Sequence, residues 1–520
     1  MSKENKAPEN GNTMNRAKLY QLALFPCNNG ATNVYYILTM NFIAYYANGV
    51  LGLTMMFATT MVTVMRLQDA FTDPIIGTLI DRTQTKFGKF RPYMVLGNCI
   101  MMVSAILLYF GTRIVSADMM WLRYVLYILF YALYVVGYTF QTACTRSGQT
   151  CLTSDPNQRP LFTVFNTIAS MVGMGLVQFL APIIASRVGG YNEAAFFDVM
   201  IPLAIAVSAI LTLLAVVGIW EKDNPKFYGV GGKHEKVKVR EYVTILKENT
   251  ELGRLMIAGA GCKLAFAIAT NMTVLCMLYG AMMNNYDGLY LPMMIVGYVC
   301  SAPFFVLTVR TSQKHGQKAS LVRFTKLALT MYVGVLVLLL LWKQGVPGFN
   351  LSLTGINLYT ILFLVFFGIG YGAYYATADM SIPMVADCSD YETYRSGRYI
   401  PGIVGSLFAL VDKLVSSLGS TIVGIAVGII GIKTLPDGYT PYAEGMHGVV
   451  VVLFCIVPML AWIATLWAMK GYQLTGARMK EIQAVNMARK DAIAKGMSLE
   501  EAMTTYVTVE QLPETYKKSL

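Results

Sequence analysis

The chain has 520 residues, of which 55% are hydrophobic and only 13% are charged. A soluble chain of this length carries about 25% charged residues, so the composition excludes an array of soluble domains. The net charge of +12 lies largely in short segments between long apolar blocks, which is typical of a membrane protein facing anionic lipid and not of a nucleic-acid-binding protein.

The apolar blocks predict an all-α membrane protein. A bilayer core of about 30 Å requires about 20 apolar residues per helix, and about twelve blocks satisfy this length. The predicted helices cover residues 20–48, 52–80, 93–112, 121–146, 160–186, 197–220, 252–283, 289–310, 321–343, 353–386, 400–432 and 446–471.

A polar stretch in the middle of the chain divides these helices into two sets of six. A weak internal repeat supports the division, because Arg82-Thr83 and Arg310-Thr311 are each followed by Lys and Gly at the same offsets. Lys and Arg are enriched in alternate loops, which predicts that both termini are cytosolic. The predicted parts are a polar N-terminus 1–17, a bundle 18–220, a cytosolic loop 221–251, a bundle 252–471 and a cytosolic tail 472–520.

The tail is soluble in composition. Its first part, to about Ala494, could form a basic helix on the inner leaflet, and a solvated tail is an equally good interpretation.

Charged residues inside membrane helices are costly and usually face a cavity or a partner. Arg66, Asp69, Thr72 and Asp73 lie on one face of predicted helix 2. The two carboxylates and the hydroxyl are hard oxygen ligands suited to a small cation. They could instead share a proton, or Arg66 could form a structural ion pair with one acid, although one arginine cannot neutralise both acids.

Other polar groups in the predicted helices are candidate solute ligands. Thr139, Thr142 and Arg146 share one side of helix 4, although Arg146 could simply be the cytosolic end of that helix. Asn28 and Asn29 make helix 1 unusually polar, and they could bind a sugar or only hold helices together. The second half adds three charged positions, namely Asp379, Asp412 and Lys413.

Three segments resemble the signature of the glycoside–pentoside–hexuronide cation symporters, whose familiar member is the melibiose permease. One runs from Asp69 to Gly77 and continues through Asp81-Arg82-Thr83 to Tyr93. The others are Val385 to Glu392 and the segment around Lys413. The resemblance covers nearly all of residues 18–480 and implies a major facilitator fold.

By this resemblance, the coupling cation, Na⁺, H⁺ or Li⁺, binds at Asp69, Thr72, Asp73 and Thr139, with the two acids as the Na⁺ ligands. This chain has Thr72 where the melibiose permease has Asn, which leaves the choice of ion open. The cytosolic loops, with Asp81, Arg82, Arg91 and Asp155, are the candidate inner gate, closed by individually weak ion pairs.

The family's sugar site differs more from this chain. The permease's Lys-Asp pair on helix 1 is matched by Asn28-Asn29 and its helix 4 Asp by Thr142. Its helix 4 Trp is matched by about Arg146 and its helix 5 Arg by Asn166, while its helix 11 Lys is retained as Lys413. Losing two carboxylates and gaining a guanidinium favours an anionic solute such as a uronide or glucuronide. Asp379 and Asp412 could restore negative charge.

These features predict a secondary transporter that imports a sugar or glycoside with a monovalent cation. The expected setting is the bilayer of a bacterial inner membrane, with no nucleic-acid partner and no cofactor besides the coupling ion. A lysolipid or other solute transporter on the same fold and a non-transporting membrane sensor are the alternatives. No nucleophile–base constellation or metal motif appears in the sequence, so we do not expect an enzyme.

Overall fold

A computed structural model describes residues 16–83, 85–153, 158–225, 245, 247–346, 348–397 and 400–517. These residues are predominantly helical, and among them β-structure is limited to an isolated bridge between Thr85 and Gly88. The first group of helices is α1 (Leu19–Leu24), α2 (Cys27–Ile37), α3 (Met55–Arg82), α4 (Arg91–Tyr109), α5 (Met120–Leu152), α6 (Gln158–Val188) and α7 (Ala194–Ile219).

The second group of helices begins after the central loop. It comprises α8 (Thr250–Ala269), α9 (Tyr286–His315), α10 (Gln317–Leu341), α11 (Leu358–Thr377), α12 (Met384–Ser396), α13 (Pro401–Ile429), α14 (Val457–Gly471), α15 (Gly476–Ala494) and α16 (Leu499–Thr505). Short α- and π-helical pieces extend α2 to Val50 and α8, beyond a turn, to Met282, and they precede α14 from Met446.

Ten of the described helices are long and apolar enough to cross a membrane. Two further helical stretches bring the number to the predicted twelve. One is the run from Cys27 to Val50, which is interrupted by π-helical turns, and the other is α3, whose 28 residues include two internal carboxylates and an arginine. The fold class predicted from the apolar blocks is therefore confirmed, and the weaker hydropathy of α3 results from its charged residues.

The chain forms two compact units. The first comprises residues 1–46, 68–188 and 193–233, and the second comprises residues 47–67, 189–192 and 234–520. The long helix α3 contributes its first part to the second unit and its remainder, from Gln68, to the first unit.

Within the first unit, small residues allow close helix packing. Gly173 of α6 faces the backbone of Gly30 in α2 so closely that a Cβ atom at Gly173 would collide with the Gly30 carbonyl oxygen. Such contacts are a common way to bring membrane helices together, because lipid offers no hydrophobic driving force between them. This packing places the polar residues of α2 beside α5 and α6.

The predicted helix over residues 353–386 is wrong in its extent. The apolar pattern predicts a single helix over residues 353–386, but α11 ends at Thr377, and a turn segment separates it from α12. Pro383 disfavours helical backbone at Ile382, but α11 already ends five residues before that position, so the proline accounts only for the end of the turn segment. Most of the predicted loop 387–399 is consequently helical, and Asp379 lies in the turn rather than inside a helix.

The C-terminal tail forms a helix, α15, that packs against α12. The Asn486 side chain donates to the Asp390 carbonyl oxygen at 2.9 Å. The buried Arg489 guanidinium donates to the carbonyl oxygens of Tyr394 (2.7 Å) and Tyr506 (2.9 Å). The described part of the tail is therefore docked on a helix of its own unit and is not merely solvated.

Candidate cation and solute site

Three of the four predicted cation ligands, Asp69, Thr72 and Thr139, are connected by hydrogen bonds in the first unit. Asp69 on α3 is 1% exposed, and the Thr139 hydroxyl of α5 donates to its Oδ1 at 2.9 Å. The Thr72 and Thr139 hydroxyl oxygens lie 3.1 Å apart. Asp73 follows one turn after Asp69 and is partly exposed. The structure therefore groups carboxylate and hydroxyl oxygens contributed by two helices.

This group has the chemistry of a site for a hard monovalent cation or a proton. Carboxylate and hydroxyl oxygens are hard ligands, and a hydroxyl can rotate its hydrogen away to present a lone pair. The buried position of Asp69 makes its negative charge expensive to maintain without compensation. The Thr139 hydrogen bond stabilises this charge, and a bound cation would stabilise it as well.

Arg146 lies at the edge of this group. Its Nη1 donates to Asp73 Oδ2 at 3.4 Å, and the arginine side chain is 63% exposed against 24% for the aspartate. Arg146 is seven residues beyond Thr139 on α5, which places it about two helical turns further along. This candidate solute ligand therefore contacts a candidate cation ligand, a pairing that the spacing within each helix did not predict.

The two helix 1 asparagines differ in their surroundings. Asn28 is fully buried, and its Nδ2 donates to the Gln141 carbonyl oxygen (2.9 Å) and to Thr145 Oγ1 (2.8 Å) of α5. Asn29 is half-buried, and its Nδ2 donates to the Asn166 carbonyl oxygen on α6 at 3.4 Å. In this conformation, Asn28 connects α2 to α5, which is the helix-holding alternative, while Asn29 lies next to Asn166.

Thr142 and Asn166 remain the other candidates in this unit. The half-buried Thr142 hydroxyl donates within α5, to the carbonyl oxygens of Tyr138 (3.1 Å) and Thr139 (3.2 Å). Asn166 Oδ1 is buried and accepts no hydrogen bond from the described residues. Its amide therefore has unused acceptor capacity, the property that recognition of a sugar hydroxyl requires.

A second charged group lies in the second unit. Lys263 Nζ of α8 and Asp379 Oδ1 form an ion pair at 2.5 Å. Asp412 on α13 has electrostatic interactions with Lys263, Asp379, Arg66 and Lys413, and its buried Oδ1 accepts no hydrogen bond from the described residues. Three cations and two anions thus interact electrostatically in this region.

The predicted gate residues are only partly covered by the described structure. Asp155 and the side chain of Asp81 lie outside the described residues, and Arg82 is exposed. Arg91 Nε pairs with Asp223 Oδ2 at 3.4 Å, and its guanidinium stacks over the Trp220 ring at 4.5 Å. The partner of Arg91 is therefore an acid that the sequence did not single out.

Asp223 also binds the backbone at the start of α4. Its carboxylate is buried and accepts from the amides of Lys89 (2.8 Å), Phe90 (3.0 Å) and Arg91 (2.9 Å). These amides have no partner within the helix, and the helix dipole also favours a negative charge at this position. No sequence signal pairs residue 223 with residues 89–91, because more than 130 residues separate them.

Comparison with known proteins identifies the family. A family model described as MFS/sugar transport protein matches residues 25–476. The chain belongs to this family. The resemblance to the glycoside–pentoside–hexuronide cation symporters of the major facilitator superfamily is thereby confirmed.

Several curated relatives are similar over most of the chain. YagG of Escherichia coli (strain K12), named provisionally as a glycoside/cation symporter, is 25% identical and covers 90% of this chain and 94% of its own length. The glucuronide carrier protein homolog of the same strain is 25% identical, with 87% and 92% covered. The isoprimeverose transporter of Lactiplantibacillus pentosus is 22% identical, with 79% of each chain covered.

Solved structures share the fold at low sequence identity. The nucleoside transporter NupG matches with a TM-score of 0.53 at 12% identity and covers 88% of this chain and 100% of its own. A bacterial homolog of the human lysosomal transporter Spinster matches with a TM-score of 0.54 at 14% identity, covering 88% and 97%. This MFS sugar transporter is therefore a multi-pass membrane protein and not an enzyme.

Proposed function

We propose that this MFS sugar transporter imports a glycoside that carries a carboxylate, together with Na⁺ or H⁺. The observation that carries the proposal is the buried Asp69 carboxylate, which accepts a hydrogen bond from Thr139 at 2.9 Å, with Thr72 in contact with Thr139 and Asp73 one turn further along α3. Buried negative charge of this kind is tolerable when a positive ion binds it, so ion binding and solute transport become linked. Import into the cell, with both termini cytosolic, is part of the proposal.

The charge of the candidate solute ligands supports an acidic solute. Asn28 and Asn29 carry no charge, whereas Arg146 adds a guanidinium that matches a carboxylate in shape. In the second unit, Lys413 retains a positive charge at the position that the family resemblance assigns to the solute. The similarity to a glucuronide carrier protein homolog at 25% identity is consistent with this preference.

Uptake by purified protein in proteoliposomes tests the proposal. Methyl glucuronide and methyl glucoside differ in a single substituent, a carboxylate against a hydroxymethyl group, and serve as a matched solute pair. Na⁺ and pH gradients are imposed separately. We expect gradient-driven uptake of the glucuronide that exceeds uptake of the glucoside. Strong uptake of neutral sugars with none of glucuronides would disprove the acidic preference, and flux independent of both gradients would disprove symport.

Replacement of Asp73 by Asn tests the cation site directly. The amide cannot neutralise a bound cation, so we expect uptake by Asp73→Asn to lose its stimulation by Na⁺ or by acidic pH. Uptake driven by each gradient is the measurement. Full stimulation in the variant would remove Asp73 from the set of cation ligands.

A further inference from the structure

Arg146 forms an ion pair with Asp73, which is also a candidate ligand of the coupling ion. The guanidinium and the coupling ion can therefore compete for the same carboxylate. The Nη1–Oδ2 distance is 3.4 Å, and the arginine side chain is 63% exposed. An exposed ion pair of this length is weak and easily broken. A coupling ion that binds Asp73 therefore competes with Arg146 and can displace it.

Arg146 is also suited to a second partner. A guanidinium binds any carboxylate through a planar fork of donors, so a solute carboxylate and the Asp73 carboxylate are chemically equivalent partners for it. The guanidinium carries one positive charge, and two carboxylates bound to it would repel each other, so occupation by one partner weakens binding of the other. Its exposed position leaves it accessible to a solute.

From this arrangement we infer that Arg146 is an exchange residue that links the coupling ion to the charge of the solute. The coupling ion neutralises Asp73 and releases Arg146, and the released guanidinium binds the solute carboxylate. In the absence of the ion, Arg146 stays on Asp73 and the carboxylate of the solute lacks its partner. This inference rests on the proposed cation-coupled transport of an acidic glycoside.

The exchange predicts how the ion and the solute change each other's affinity. The ion must raise the affinity for an anionic solute, and the anionic solute must raise the affinity for the ion by the same factor. A neutral analogue gains nothing from the released guanidinium, so exchange predicts a much smaller linkage for it. A plain cation site without exchange predicts similar linkage for both analogues.

Solute binding to purified protein in nanodiscs, with methyl glucuronide and methyl glucoside as probes, distinguishes these cases. Titrations are performed with and without Na⁺ and at high and low pH. The Asp73→Asn side chain is neutral and imitates the ion-bound state. We expect this variant, without added ion, to bind the glucuronide about tenfold more tightly than the ion-free wild type, and to lose the ion dependence. Its affinity for the glucoside should be nearly unchanged.

Arg146→Gln provides the reciprocal measurement. Removing the competitor should tighten ion binding about tenfold and make it insensitive to the glucuronide, while Arg146→Lys should retain part of the linkage. Arg113→Gln is a matched control, because Arg113 pairs with Asp198 at 2.6 Å elsewhere in the same unit. We expect the control to leave the linkage unchanged.

The possible results separate this inference from the function on which it rests. If the wild type transports the glucuronide with an ion but Asp73→Asn binds the glucuronide no more tightly than the ion-free wild type, exchange is disproved and symport stands. If Arg146→Gln keeps the full linkage, exchange is likewise disproved. If the wild type shows neither ion-dependent binding nor ion-driven flux, the proposed function fails and the inference fails with it.

Discussion

At the scale of single residues, the candidate site is a set of charged groups whose partners lie on other helices. Asp69 binds Thr139, Asp73 pairs with Arg146, and Lys263 pairs with Asp379. The helical period predicts which residues share a face of one helix. It cannot predict the partner on the second helix, because that depends on how the helices pack.

Lys413 is the charged group of the second unit that the family resemblance assigns to the solute. Replacement of Lys413 by Ala removes a cation near Asp412 and should weaken solute binding about tenfold or more, since complementary charge is lost. Ion binding should change much less. Separate titrations of methyl glucuronide and Na⁺ provide the check, and the reverse pattern would assign Lys413 to the ion site or to a structural role.

Asp387 on α12 makes the stability of the protein depend on pH. Burial, together with the neighbouring Asp390, raises the pKa of its carboxyl to about 6. A raised folded-state pKa means that this group favours the folded state when protonated, and that its contribution is lost as pH rises through about 6. Because the side chain is only partly buried, solvent screening limits the effect to about 1 kcal/mol.

Asp387→Asn should therefore be more stable than the wild type at pH 7.5 and similar to it near pH 4, at the pKa of an unfolded aspartate. Thermal unfolding of purified protein between pH 4 and pH 8 measures the difference. Asp118→Asn, at an exposed position in the first unit, is the control and should unfold in parallel with the wild type. An advantage of Asp387→Asn that grows toward low pH would contradict the raised pKa.

At the scale of helices, boundaries follow local chemistry where caps and prolines act. The predicted helix 252–283 is interrupted after Ala269, and Asn271 begins a new helix by accepting a hydrogen bond from the Thr273 amide at 3.0 Å. The start of α4 is different, because its amides are bound by the distant Asp223. A cap formed by a distant residue such as Asp223 cannot be predicted from the residues next to the helix.

Gly88 tests the Asp223 contact. It adopts a φ of +99°, and a Cβ atom there would collide with the Asp223 carboxylate. Gly88→Ala should therefore destabilise the first unit by about 2 kcal/mol, from backbone strain and displacement of Asp223. Thermal unfolding is the measurement. Gly77→Ala, in open space on α3, is the matched control and should be neutral or slightly stabilising.

At the scale of the whole molecule, the order of apolar blocks and the distribution of Lys and Arg predict a topology. The central loop and the C-terminal tail are predicted to lie on the cytosolic side, and the tail is docked on α12 of its own unit through Asn486 and Arg489. Because the tail contacts α12, the tail and α12 must lie on the same side of the membrane, as this prediction requires.

Reporter fusions test the orientation of the whole chain. A fluorescent protein fused after Leu520 should fluoresce, because such reporters fold in the cytosol. Alkaline phosphatase inserted near Ser352, between α10 and α11, should be active, because this loop is predicted to lie outside. Activity of the phosphatase at the C-terminus, with none at Ser352, would reverse the predicted topology.

The all-helical membrane fold, the approximate extent of most membrane helices and the family could be predicted from the amino-acid sequence, because hydropathy, charge distribution and the motif around Asp69 to Tyr93 are local properties of the chain. The contacts of Arg146 with Asp73 and of Asp223 with α4, as well as the docking of the tail, became known only from the packed structure. The two residues in each of these contacts are separated in the sequence by at least 73 positions, and in one case by more than 130. They depend on how helices pack, and sequence periodicity carries no information about that packing.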